Sequence, residues 1–229
     1  MPLIIISGLP TSGKSTRARQ LEAYLRARIE GSEASGTSAS GPPKYRLHVV
    51  SDDSLAISRA VYDLSSVPAH ARSANASEKD ARAAIYGSVK RVLSDRDIVI
   101  LDGMNYIKGW RYQLHCEAKA VRTPSVVLQI GCDPEKAKGV NEERLRRRAE
   151  QEGATDEDEQ KGPAEKGEAL PEGYAPANWE NLVFRYEEPN PMTRWDSPLF
   201  ALVWDDGEER TKQVFDQLWD AIAGKGAKS

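Results

Sequence analysis

The 229 residues predict an α/β fold, a five-stranded and mainly parallel sheet sandwiched by helices. Two observations carry that expectation. Five short apolar, β-branched runs alternate with segments of helical periodicity. A glycine-bearing loop leaves the first of these runs and opens the first helical segment, the strand–loop–helix order of a phosphate-binding unit.

The first run, Leu3-Ile4-Ile5-Ile6, reads as a buried strand over residues 3–7. It passes directly into Gly8-Leu9-Pro10-Thr11-Ser12-Gly13-Lys14-Ser15, which fits G-x-x-x-x-G-K-[ST] in the context that pattern requires. Successive backbone N–H groups, with a helix N-terminus behind them, form an anion cradle. Gly8 and Gly13 let the backbone approach phosphates closely. Lys14 supplies a point charge at the β- and γ-phosphates, and the Ser15 hydroxyl is a candidate Mg²⁺ ligand. The expected ATP-binding segment is therefore Gly8 to Thr16, in a P-loop NTPase fold of kinase-like type.

Residues 15–29 form the first helical segment, with Ala18, Leu21, Leu25 and Ile29 on one face. Residues 30–43 are Gly/Ser/Pro-rich and read as a flexible insertion. The second strand, 46–51, ends in Ser51-Asp52-Asp53. An acid at this place in P-loop kinases accepts the substrate proton or positions the attacking water, and alternation aims Asp52 at the cleft. Capping of the following segment, 54–60, is the competing explanation. A helix over 78–94 carries Ala81, Ile85, Val89 and Val92. The third strand, 98–101, runs into Asp102, whose carboxylate is a candidate to help hold Mg²⁺. A turn or N-cap aspartate is the alternative there. A helix over 110–121 and a strand over 125–130 follow.

Residues 141–148 put Arg144, Arg147 and Arg148 on one helical face. Arginines on a closing lid can neutralise the charge that phosphoryl transfer spreads over the γ-oxygens; a solvated basic helix paired with Glu142, Glu143 and Glu150 is the bland reading. The next stretch, 150–172, holds nine acids and two lysines and reads as a loose or disordered loop. Its net charge of −7, against −3 for the whole chain, leaves the remainder near +4, so the acidic balance does not exclude RNA as a partner. Trp179, Phe184, Tyr186 and Trp195 form an aromatic cluster that either stacks on a base or, the preferred reading, fills the sheet edge. A strand over 199–204 and a helix over 211–222, with Val214, Leu218 and Ile222 in register, complete the order.

Other residue types argue mostly by exclusion. Cys116 and Cys132 are the only cysteines and stand in no C-x-x-C pair, against a zinc site or a disulfide framework and for a reducing compartment. His48, His70 and His115 share no ligand spacing and read as packing or surface residues. No basic region precedes the N-terminal apolar run, and no apolar stretch approaches a membrane helix in length. The expectation is a soluble, intracellular, single-domain protein with no membrane partner.

With these residues in hand, the chain resembles the Elongator-associated regulatory ATPase family of killer toxin insensitivity protein twelve, a relative of the kinase that phosphorylates seryl-tRNA for selenocysteine synthesis. The matching stretches are Met1-Pro2-Leu3 running into the loop, Asp102-Gly103-Met104-Asn105-Tyr106-Ile107-Lys108-Gly109 with Trp110-Arg111-Tyr112, Asn141-x-x-Arg144, and Tyr186-Glu187-x-Pro189. The Asn-Tyr-Ile-Lys-Gly segment discriminates best, because countless NTPases share the phosphate loop. The resemblance implies Mg-dependent ATP hydrolysis that regulates the Elongator complex in modifying tRNA wobble uridines, in the cytoplasm and nucleus. The kinase relatives share an Arg-x-x-x-Arg lid, matched by Arg144 and Arg148. Family members continue into a C-terminal domain associated with tRNA binding; this chain reads as the ATPase domain alone, with weak or partial tRNA binding. Two alternatives stand beside hydrolysis. One is a kinase acting on a tRNA-linked or small-molecule hydroxyl, and the other a nucleotide-gated binding module with slow turnover.

Overall fold

The computed structural model describes residues 2–34, 45–64, 74–155 and 172–223. Five parallel strands, β1 (Leu3–Gly8), β2 (Arg46–Ser51), β3 (Asp97–Asp102), β4 (Ser125–Gly131) and β5 (Leu199–Val203), form one sheet in the order β2-β3-β1-β4-β5. All the strand pairs are parallel, as the alternation of strand and helix requires. After β1 the chain builds β2 and β3 on one side and then crosses to β4 and β5 on the other. That reversal opens a crevice at the carboxyl end of β1, where open α/β sheets bind ligands.

The pleat divides the core. Ile4, Ile6, Ile100 and Leu128 point to the face covered by α1 (Lys14–Ala34) and α6 (Glu208–Ile222), against Leu21, Leu25, Val214 and Leu218. Leu3, Ile5, Val99 and Leu101 point to the opposite face, covered by α2 (Ala74–Val92) and α3 (Lys108–Ala120) through Ile85, Val89, Trp110 and Leu114. A third cluster of Tyr62, Met104, Tyr106, Ala137, Tyr174, Trp179 and Leu182 joins α4 (Pro134–Thr155) and α5 (Pro176–Phe184) to the sheet's carboxyl end.

The structure corrects several expectations. Residues 30–34, expected in the flexible insertion, continue α1, because each added residue extends a formed helix by one hydrogen bond at little further cost. Residues 150–155 likewise continue α4; residues 35–44 and 156–171, the rest of both polar segments, and His70 lie outside the described residues. The aromatic cluster is dispersed. Trp179 is buried on α5 beside the phosphate loop, Phe184 is 89% exposed at that helix's end, and Trp195 meets Tyr112 edge-on at 5.4 Å. Nine residues opened by Pro176 make a helix where only aromatic content is apparent, because tertiary burial of Asn178, Trp179 and Leu182 stabilises it. His48 and His115 bond to Asp97 and Ser125, both at the sheet's amino ends, away from the crevice.

Candidate active site

The loop between β1 and α1 takes its shape from a few backbone requirements. A Cβ on Gly8 would lie 2.8 Å from the Ile130 carbonyl oxygen and 2.9 Å from Ser12 Oγ, so no side chain fits. Gly13 sits at φ 85° and Thr11 at φ 57°, the left-handed geometry that turns successive N–H groups inward. Gly8, Leu9 and Pro10 form the base of the turn, and the Lys14 ammonium donates to the Leu9 carbonyl. Thr11 is committed to structure. Its hydroxyl donates to the Ala137 carbonyl of α4 at 2.6 Å and accepts from the Trp179 indole N–H of α5 at 3.0 Å.

Lys14, Ser15 and Thr16 face one cavity together with Asp52, Asp53, Arg59, Asp102, Arg144, Glu172 and Tyr174. Asp102 ends β3 and lines the cavity together with Ser15. It does not cap α3: Ile107 holds the N-cap position, and Glu187 Oε2 accepts the Lys108 N–H at 2.7 Å. Asp52 makes no side-chain cap bond either. Its Oδ2 accepts from Arg59 Nη1 and from the Tyr62 hydroxyl, each at 2.9 Å. The capping explanation for Asp52 therefore fails.

The three lid arginines diverge. Arg144 reaches the cavity; Arg147 lines an adjoining cavity with Lys136, Val140 and Trp204 while donating to Glu143 at 2.6 Å; Arg148 lies 3.9 Å from Glu172. They share a helix face, but one further turn carries Arg148 about 6 Å along the axis from Arg144.

Burial sets the site's electrostatics. It lowers the Lys14 ammonium to about 7, with Asp102 pulling the other way and the Arg59 and Arg144 charges adding to the drop. Burial also pushes the Asp52 carboxyl up, against Arg59 and the Tyr62 hydroxyl, and pushes Asp102 up, against the Ser15 hydroxyl and Lys14. Arg144 is lowered by burial and then by Arg59. The cavity thus gathers the cations Lys14, Arg19, Arg59 and Arg144, whose mutual repulsion an anion would relieve. No cluster of three or more His, Cys, Asp or Glu side chains able to hold a metal occurs among the described residues. A hydroxyl and a carboxylate on one cavity wall, Ser15 and Asp102, still suit Mg²⁺, which keeps waters and takes its remaining ligands from phosphate oxygens. The Ser12 hydroxyl is buried in the loop without a hydrogen-bond partner, a polar atom available to a bound phosphate.

Arg59, Tyr62, Glu172 and Tyr174 are site residues that no motif or period announces. They come from a 3₁₀ turn and from the chain entering α5, and only folding brings them to the loop.

The sequence profile of a family described as "Chromatin associated protein KTI12" matches residues 1–229. The protein kti12 of Schizosaccharomyces pombe is 35% identical over 222 residues, which cover 97% of this chain and 63% of that protein. The Saccharomyces cerevisiae protein KTI12 is 35% identical over 203 residues, covering 89% of this chain and 51% of its own length. The chain therefore spans between half and two thirds of these relatives. Chaetomium thermophilum Kti12, crystallised in complex with ADP-AlF3, is 60% identical with a TM-score of 0.77, over 97% of this chain and all of that one. A Sinorhizobium meliloti gluconokinase at 11% identity and a TM-score of 0.54, covering 98% and 97%, shares the fold. No described helix is long and apolar enough to cross a membrane.

Proposed function

Because this chain belongs to the KTI12 family, we propose that it binds Mg-ATP on the loop from Gly8 to Thr16, hydrolyses it, and thereby regulates the Elongator complex in tRNA wobble-uridine modification. The convergence of Lys14, Ser15, Asp102, Asp52 and Arg144 on one cavity at the β1 crevice carries the proposal. The ADP-AlF3 complex of the 60%-identical relative supports a nucleotide as the ligand.

The chemistry follows from the positions. The loop N–H groups and Lys14 take the β- and γ-phosphate oxygens, with Lys14 leaving the Leu9 carbonyl to do so. Ser15 and Asp102 would hold Mg²⁺, which would supply charge neutralisation for the phosphates. Asp52 orients a water for attack: the water oxygen bonds to Pγ, the bond from Pγ to the bridging oxygen breaks, and the electron pair stays on ADP. The water's proton leaves through Asp52 or the phosphate product. Arg144 offsets the charge that develops on the γ-oxygens, while Arg147, on the neighbouring cavity, contacts the nucleotide. Arg148 stands at the rim of the site, 3.9 Å from Glu172, and adds to the positive charge there. On the same reading the protein acts on tRNA-bound Elongator in the cytoplasm and nucleus.

The test follows γ-labelled ATP with and without tRNA, using Lys14→Ala and Asp52→Ala proteins. Label released as phosphate in a Lys14-dependent manner, and faster with tRNA, is the expected result. An unchanged rate in Lys14→Ala would sink the proposal. A kinase is the second reading, favoured by one observation. Asp52 also lines a second cavity behind it, walled by Tyr62, Arg82, Tyr106 and Trp110, where an acceptor hydroxyl would stand. Label on an RNA or small-molecule product would select that reading.

A further inference from the structure

Arg59 opens a 3₁₀ turn (Arg59–Tyr62) and lies between two carboxylates of very different exposure. Its Nη1 donates to Asp52 Oδ2 at 2.9 Å, and its Nη2 to Asp53 Oδ1 at 3.0 Å. The Asp52 side chain is 10% exposed and that of Asp53 72%. The first pair is held in place by burial, whereas an exposed pair is weak and readily exchanged. The guanidinium lies over the Tyr174 ring, 5.7 Å from its centroid, which limits its freedom. It faces the same cavity as Lys14, Ser15, Asp102 and Arg144. Arg19 lines it too, and the four cations face the carboxylates of Asp52, Asp53, Asp102 and Glu172. A phosphate therefore enters by displacing a carboxylate, and the exposed Asp53 is the readiest to yield.

We propose that Arg59 is a catalytic residue of triphosphate hydrolysis, a transition-state cation supplied from within the chain that exchanges Asp53 for the γ-phosphoryl oxygens while keeping Asp52. This rests on the ATPase reading above. As the water oxygen bonds to Pγ and the Pγ–O bond to ADP breaks, negative charge spreads over the equatorial γ-oxygens. The freed Nη2 donates to them, and Nη1 keeps the Asp52 carboxylate beside the attacking water. A planar guanidinium can serve both partners at once, which an ammonium cannot. Asp53 then acts as a placeholder, occupying Nη2 until the nucleotide arrives.

The experiment combines single-turnover hydrolysis with calorimetric binding of ADP and of ADP plus aluminium fluoride, for the unaltered protein, Arg59→Ala, Arg59→Lys and Asp53→Asn. Arg59→Ala should slow hydrolysis on the order of 10³-fold, the scale set by arginine fingers. ADP affinity should stay within roughly threefold while the aluminium fluoride complex is weakened far more, because only the latter mimics the transition state. Arg59→Lys should restore part of the rate, and Asp53→Asn should tighten the aluminium fluoride complex. Equal losses for both ligands in Arg59→Ala, or no gain in Asp53→Asn, overturn the proposal, and the exposed Asp53 position keeps the test open if Arg59→Ala fails to fold. Absence of Lys14-dependent phosphate release from the unaltered protein refutes the ATPase reading itself, whereas normal turnover by Arg59→Ala refutes only the assignment of Arg59.

Discussion

Replacing Asp196 with alanine should remove about 3–5 kcal/mol of stability, the cost of leaving a buried charge without its partner. The magnitude follows from the surroundings of Arg111, whose side chain is 0% exposed against 2% for Asp196. Arg111 Nε meets Asp196 Oδ1 at 2.7 Å and Nη2 meets Oδ2 at 3.3 Å, while Nη1 donates to the Asn105 carbonyl at 2.8 Å. Asp196 Oδ2 also accepts the Asn190 N–H at 3.0 Å, so the same substitution strands a backbone donor. For a chain of this size each kcal/mol moves the midpoint by roughly 2–4 °C, so the expected drop is about 6–20 °C. Urea denaturation followed by circular dichroism measures the free energy directly. A paired replacement, Arg111→Met with Asp196→Leu, should cost far less than Asp196→Ala, because two well-packed apolar groups need no compensation. A loss below about 1 kcal/mol in Asp196→Ala, or a paired variant as unstable as the single one, would refute the reasoning.

Two further outcomes follow from the loop. Gly8→Ala should destabilise the protein by about 1–3 kcal/mol, since the new methyl meets a strand carbonyl that cannot yield, and should abolish ADP binding in calorimetry; a stable variant that binds ADP contradicts the close approach. The stability of the nucleotide-free protein should rise with pH between about 7 and 10.5. Lys14 is lowered to about 7 by burial, so in this window the unfolded chain holds a proton that the folded one does not. Below pH 7 both states hold that proton and the contribution flattens. Denaturation at stepped pH should show this rise in the unaltered protein and its loss in Lys14→Met.

What the sequence determined by itself was everything carried by local pattern. The five strands are runs of apolar, β-branched residues, and four of the helices show their buried stripes at helical spacing, because one backbone period decides which side chains face the core. The phosphate loop was legible for a related reason: its glycines, lysine and serine act through backbone geometry within eight residues. The segment from Asn105 to Arg111 stood out only by resemblance. The structure supplies its physical basis, since the Asn105 side-chain amide ties the ends of β1 and β3 and the Asn105 backbone carbonyl accepts from Arg111. Pairings across long separations were settled only by tertiary structure. Arg111 meets Asp196 from 85 residues away, and Trp179 meets Thr11 from 168. Asp52 proved to be held by Arg59 and Tyr62 where a cap was the competing reading, and Arg148 proved to face Glu172. Such contacts leave no period in the chain, because the sheet order, and not the local backbone, brings their partners together.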